Sequence, residues 1–309
     1  MKEIKIFSPA SIANLSCGFD ILGVCLNDIG DEIVVRKTKE KGIKILKVTG
    51  QKLTLDVNKN VAGVSALALL KETNVDCGFE IEIHKGIKPG SGIGSSAASS
   101  AGSVFAINQL IGKPYSSKEL IKFALEGEKI ASGAAHADNV SAVLLGGFVF
   151  VRDSLNFDIF KLNNPIDLAF TILHPQIEVK TSESRALVQR PVTLDKLITQ
   201  SANLGAFISG LYKEDYNLIS RSIKDVVIEP IRSILIPEFE KLKEISLSNN
   251  ALGFGISGSG PSVFAMSKGL VNAKKIGDLL KEKYRELGFL FDIHTSTVNE
   301  KGIQIIKIK

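Results

Sequence analysis

Three glycines alternate with small residues in Pro89-Gly90-Ser91-Gly92-Ile93-Gly94-Ser95-Ser96-Ala97-Ala98. Glycine reaches positive φ without a Cβ penalty and lets backbone approach a ligand closely. Ser95 and Ser96 are capping residue types. They predict a helix from about Ser95 whose free N–H groups and positive dipole end face the space the glycines open. Such a combination cradles phosphate, although locally the segment also reads as a flexible glycine turn before a helix. Ala97, Ala98 and Ala101 keep that helix thin, so that it can pack close beneath the loop. Two better-known phosphate loops do not fit. There is no Gly-Lys-Ser/Thr ending of a Walker loop. The glycine spacing is not that of a dinucleotide fingerprint, and no acidic residue ends a second strand about twenty residues on.

Three further segments carry possible chemistry. Gly253-Phe254-Gly255-Ile256-Ser257-Gly258-Ser259-Gly260-Pro261-Ser262 is a second glycine-rich turn, far downstream of the first. One such turn is usually a structural hairpin; two in one chain suggest that both halves close on one anionic ligand. In Ser11-Ile12-Ala13-Asn14-Leu15-Ser16-Cys17-Gly18-Phe19-Asp20, an amide and a carboxylate follow the first strand. Asn14 and Asp20 could hold a hydroxyl and an ammonium, or could simply make an Asx-rich turn. Glu126-Gly127-Glu128 precedes Ser132-Gly133-Ala134-Ala135-His136-Ala137-Asp138-Asn139. Glu128 suits Mg²⁺, which takes one or two carboxylates plus phosphate oxygens, though a helix Glu is more often only solvated. His136, Asp138 and Asn139 cluster after a Ser-Gly break, where a small substrate could be held.

The elements that must position these residues read as a mixture of strands and helices. A strand over residues 4–7 is broken by Pro9 into a loop running to Gly18. Strands follow over 32–37 and 43–48, then a helix over 61–72 and an alternating strand over 79–84. A small-residue helix spans 95–110. Ser116-Ser117-Lys118-Glu119 fits a capping box and opens the next helix. The apolar run 142–151 reads as a buried strand bent at Gly146-Gly147. The polar stretch 156–165 is the expected domain boundary, dividing the chain into residues 1–155 and 156–309. Beyond it come a strand over 168–173, helices between 193 and 246, a strand over 251–257, a charged helix over 273–287, and strands over 291–298 and 304–308. Strands and helices mix in both halves, which points to an α+β fold.

The chain has 309 residues, 44% hydrophobic and 23% charged, enough for a sizeable core. Its net charge of +5 is dispersed. That suits a nucleotide ligand and lacks the dense basic clustering of a nucleic-acid binder. Cys17, Cys25 and Cys77 fit no zinc or redox spacing and read as reduced thiols. No signal peptide or bilayer-length apolar segment is apparent, so a cytoplasmic protein with no membrane partner is expected.

Taken in order, the four segments resemble the GHMP kinase superfamily. Residues 89–98 are similar to its ATP-binding loop and 255–262 to its C-terminal glycine motif. Ala13-Asn14-Leu15 with Gly18-Phe19-Asp20, and His136-Ala137-Asp138-Asn139, resemble the homoserine kinase branch. The resemblance spans nearly the whole chain. It implies a two-domain α+β fold with a ferredoxin-like C-terminal domain, and ATP in the cleft between the domains. It implies ATP-dependent phosphorylation of the L-homoserine hydroxyl to O-phospho-L-homoserine in threonine biosynthesis, and it allows a homodimer. By motif position, Asn60, Val61 and the loop from Pro89 to Ala98 would bind ATP. Ser96 and Glu128 would hold Mg²⁺. Asn14, Asp20, His136, Arg185 and Arg232 would bind homoserine, and Asn139 and Thr181 would lie near the transferred phosphoryl group. Ile93 stands where the family often has Leu. Ser16-Cys17 stands where it often has Gly-Pro, which predicts a looser substrate loop.

Overall fold

A computed structural model of the chain describes residues 2–133, 136–177, 179, 184, 187–188 and 191–309. Its first sheet has seven strands: β1 (Glu3–Ala13), β2 (Leu22–Thr38), β3 (Gly42–Thr49), β4 (Gly78–His84), β5 (Phe148–Asp153), β6 (Asp158–Leu162) and, from the far end of the chain, β11 (Gln304–Ile308). Their order is β11-β1-β2-β4-β3, with β5 on the start of β2 and β6 on β5. Only β3 and β4 pair in parallel. Four helices accompany this sheet: α1 (Val61–Lys71), α2 (Ser95–Leu110), α3 (Ser117–Ser132) and α4 (Ala137–Leu145). Ile4, Ile6, Ile33, Ile81 and Ile83 alternate inward and meet Ala97, Ala101, Val104 and Ile107 of α2. α3 starts with the expected capping box: the Glu119 N–H donates to the Ser116 hydroxyl, and the Ser116 N–H to the Glu119 carboxylate.

Two local expectations change. Pro9 does not end β1. The register against β2 shifts between Pro9 and Ser11, and a residue without an N–H is accommodated at such an irregularity. The apolar run 142–151 is not one strand. Its first part completes α4, which stops at Gly146, and β5 begins at Phe148. A buried helix end and a buried strand are equally apolar, so hydropathy cannot separate them.

The second sheet contains β7 (Leu168–Pro175), β8 (Ala251–Ile256), β9 (Val263–Lys268) and β10 (Phe291–Thr297), in the order β10-β7-β9-β8, all antiparallel. Between β7 and β8 come α5 (Leu194–Lys213), α6 (Tyr216–Ser222), α7 (Glu229–Arg232) and α8 (Phe239–Ser248); α9 (Leu270–Glu286) joins β9 to β10. This is the ferredoxin-like split βαβ arrangement. β6 and β11 both lie beyond residue 155 yet belong to the first sheet. The lobes also share a core, in which Phe148 lies 6.4 Å from Phe170, itself 6.1 Å from Phe264. All three cysteines are free, and burial pushes the Cys17 thiol up to about 12.

Candidate active site

A cavity of about 480 Å³ opens where the glycine-rich segments of the two lobes meet. At one end lies the start of α2. Gly94, at φ 72°, occupies the N-cap position, and no side chain caps the helix. The expected capping serines are engaged elsewhere: Ser95 Oγ donates to Ile87 O at 3.0 Å and Ser96 Oγ to Glu128 Oε2 at 2.9 Å. First-turn N–H groups are therefore left for an anion, at the positive end of the helix dipole. A Cβ on Gly90 (φ 72°) would meet nothing within 4 Å, so this glycine lies open to the cavity it lines. Gly92 differs, since a Cβ there would come 2.6 Å from Ser257 O and 2.7 Å from Gly260 O. The two glycine segments brace each other here. Ser257 Oγ donates to Gly92 O at 2.7 Å and Ser262 N to Ser91 O at 3.2 Å.

Beneath the helix start sits Glu128. Burial pushes its carboxyl up to about 7, against the opposing pull of the Ser96 and Ser100 hydroxyls and the Lys85 charge. Next to it, Lys85 is buried and lines the cavity, paired with Asp31. Burial holds its ammonium below the usual lysine value, and the two carboxylates oppose that shift. Neither Lys85 nor Asp31 stood out in the sequence. The available signal was a lysine directly after a half-buried strand and just ahead of the glycine loop.

At the other end the chain turns sharply after β1. Asn14, Leu15 and Ser16 all take left-handed φ values (73°, 43°, 60°), as does Asp20 (63°). Left-handed backbone costs roughly 1–2 kcal/mol per residue for non-glycine types, so the surroundings must hold this loop. Asn14 Oδ1 accepts from Asp20 N at 2.9 Å and its Nδ2 donates to Gly258 O at 2.8 Å. Ser16 Oγ donates to Phe254 O at 3.4 Å, and Gln200 Nε2 to Cys17 O at 3.2 Å. The loop predicted to be loose at Ser16-Cys17 is thus buried and tied to the second lobe.

His136 Nδ1 lies 3.3 Å from Asp20 Oδ1. Arg232, at the end of α7, is buried with its guanidinium over the Phe19 ring, 5.0 Å from the centroid. Its Nη1 donates to Gly258 O at 3.2 Å. Asn139 Oδ1 accepts from Ser11 Oγ at 2.7 Å. Asp138 also lines the wall, and burial together with the Asp20 charge raises its carboxyl to about 7.

The structure therefore gathers Asn14, Asp20, Val61, Pro89, Gly90, Gly92, Gly94, Ser95, Ser96, Glu128, His136, Asn139 and Arg232 around one cavity. Asn60 stands just outside its wall as the N-cap of α1, accepting from Ala62 N and donating to Thr54 O; Leu53 lines the wall beside Val61. Ser91, Ile93, Ala97 and Ala98 are buried behind the loop. Thr181 and Arg185 lie outside the described residues.

Both lobes match known families. The profile described as "GHMP kinases N terminal domain" covers residues 59–147 and that described as "GHMP kinases C terminal" covers 207–286. The fold is that of this class of ATP-dependent kinases acting on a hydroxyl group. Within the class, a homoserine kinase from Chloroherpeton thalassium is 38% identical over 319 residues, spanning 99% of this chain and 100% of that one. One from Chlorobaculum tepidum is 37% identical over 99% of both. A crystal structure of homoserine kinase from Cytophaga hutchinsonii superposes with a TM-score of 0.95 at 43% identity, covering 99% and 98% of the two chains. The chain belongs to the homoserine kinase family. A mevalonate kinase at 18% identity, with a TM-score of 0.72, shares the fold.

Proposed function

We infer that the protein transfers the γ-phosphoryl group of ATP to the side-chain hydroxyl of L-homoserine. The observation that carries this reading is the composition of the cavity wall. A glycine loop and an uncapped helix start stand at one end, and opposite charges suited to a zwitterion stand at the other. Arg232 would pair with the substrate α-carboxylate, since a guanidinium fork matches that group. Asp20, held by Asn14 and facing His136, would take the ammonium. A sugar or simple polyol carries neither charge and would offer Arg232 and Asp20 only neutral hydroxyls. The resemblance adds Arg185 to the carboxylate end and Thr181, with Asn139, to the phosphoryl end.

A divalent cation fits the residues present. Ser96 and buried Glu128 form one hydroxyl–carboxylate pair at the helix start, and Mg²⁺ would complete such a partial site with phosphate oxygens and water. Among the described residues no group of three His, Cys, Asp or Glu forms a cage of its own. When bound, Mg²⁺ supplies charge neutralisation to the phosphates. The helix N–H groups hold the polyphosphate, Asn139 is fixed by Ser11, and the acceptor loop fixes the substrate chain so that its hydroxyl meets the phosphorus in line. Phosphoryl transfer through a loose transition state needs little early deprotonation. No side chain is therefore assigned as an essential general base.

The test is ADP release dependent on L-homoserine, titrated with Mg²⁺ in the wild type and in Glu128→Gln. The wild type should form one new phosphomonoester. Glu128→Gln should need more Mg²⁺ and turn over more slowly. Absence of homoserine-dependent turnover would refute the function, and an unchanged Mg²⁺ requirement would remove Glu128 from the metal.

A further inference from the structure

The reading above leaves unused a buried ion pair at the phosphate end. Asp31 on β2 and Lys85, which follows β4, have side chains 0% and 1% exposed. Lys85 Nζ donates to Asp31, to Ser95 O at 2.9 Å and to Ser99 Oγ at 3.0 Å. Asp31 Oδ1 accepts from Gly86 N at 3.0 Å and Ile87 N at 3.1 Å, and Ser99 Oγ lies 3.3 Å from its Oδ2. One ion pair thus ties together the end of β4, the lead-in to the glycine loop and the first turn of α2.

A buried ion pair is weak evidence for stability, because an uncharged pair of similar volume is often as stable. Two observations point to the reaction instead. Lys85 lines the cavity at the end where Ser95, Ser96, Ser99 and Glu128 converge. Its positive charge also interacts with both the Asp31 and Glu128 carboxylates. A polyphosphate brought against those two carboxylates without that ammonium would meet like charge in a poorly screened interior.

We propose that Asp31 and Lys85 are a positioning pair for phosphoryl transfer. Asp31 fixes Lys85, Lys85 fixes the first turn of α2 through the Ser95 carbonyl, and its charge balances Glu128 beside the phosphates. The proposal rests on the ATP-dependent reading above.

The test is the double variant Asp31→Asn/Lys85→Met, which removes both charges and strands neither. It should fold with a melting temperature close to wild type. Its Kd for a fluorescent ATP analogue, measured without acceptor, should rise at least about tenfold, and kcat should fall by about as much or more, while KM for homoserine stays within about twofold. Nucleotide affinity and kcat both within threefold of wild type would overturn the proposal, as would an equal rise in both KM values. If the double variant does not fold, Ser99→Ala provides the test. It removes the hydroxyl shared by both partners without touching a charge, and should raise the analogue Kd about three- to tenfold; an unchanged Kd would overturn the proposal. Nucleotide affinity is read without homoserine, so a wrong acceptor assignment leaves this result intact. A wild type that binds no nucleotide would instead sink the kinase reading.

Discussion

Single side chains at the acceptor end work by charge and geometry together. Arg232 is held in place by Phe19 and the Gly258 carbonyl, which on the proposed reading sets its fork before substrate arrives. Arg232→Lys keeps the charge and loses the fork. It should cost about 1–3 kcal/mol in kcat/KM for homoserine, with little change in nucleotide affinity; a change under twofold would move the carboxylate elsewhere. Asp138 tests the absence of an essential base. Its folded carboxyl titrates at about 7 against a reference of 3.8, chiefly because of burial. The folded state therefore binds the proton more tightly, and stability falls as pH rises between those values. Asp138→Asn should raise the melting temperature more at pH 8 than at pH 5, and kcat at saturating homoserine should stay within about tenfold of wild type. An equal thermal gain at both pH values would contradict the burial argument. A thousandfold loss of kcat would make Asp138 the base. Most of these residues were legible in the sequence because they sit in contiguous motifs. Lys85 and Asp31 were not, since neither belongs to a recognisable motif, and only β2–β4 pairing brings them together.

Among the elements, the glycine loop and α2 show how far local rules reach. The helix bounds follow from composition, and its start follows from Gly94 at the N-cap, whereas the expected serine caps bond elsewhere. What the sequence does not reveal is that Gly92 faces the second lobe while Gly90 faces the cavity, because that depends on a loop far away in the chain. Gly90→Ala should mainly carry the left-handed penalty of about 1–2 kcal/mol and crowd the nucleotide. Gly92→Ala adds overlap with the Ser257 and Gly260 carbonyls and should lower the urea midpoint further. Equal midpoints for the two variants would mean that the braced loops separate at no cost. β1 passing through Pro9, and α4 ending where a strand was expected, are tertiary outcomes of the same sort. Sheet pairing accommodates the proline, and a shared apolar run hides the change from helix to strand.

At the scale of the molecule, an α+β fold in two lobes was readable from mixed periodicities and a turn-rich centre, whereas the chain's path between lobes was not. β6 is short and set among turn-forming Asn and Pro residues, so it resembles a linker, and β11 returns to the first sheet after the second is complete. Phe148, Phe170, Phe207 and Phe264 then join the lobes through one core, so the cavity between the glycine segments is built on a common support. The two glycine segments and the loop after β1 are thereby set on one packed interior. On the proposed reading, this cavity selects an amino-acid alcohol by its two charges. The most direct measurement is kcat/KM with ATP and Mg²⁺ for L-homoserine beside 4-hydroxybutanoate, which lacks the ammonium, 3-aminopropan-1-ol, which lacks the carboxylate, and mevalonate. A site with a buried guanidinium for one group and a half-buried carboxylate for the other should prefer homoserine to each truncated analogue by at least about a hundredfold. Comparable turnover of either truncated alcohol, or a preference for mevalonate, would contradict the account.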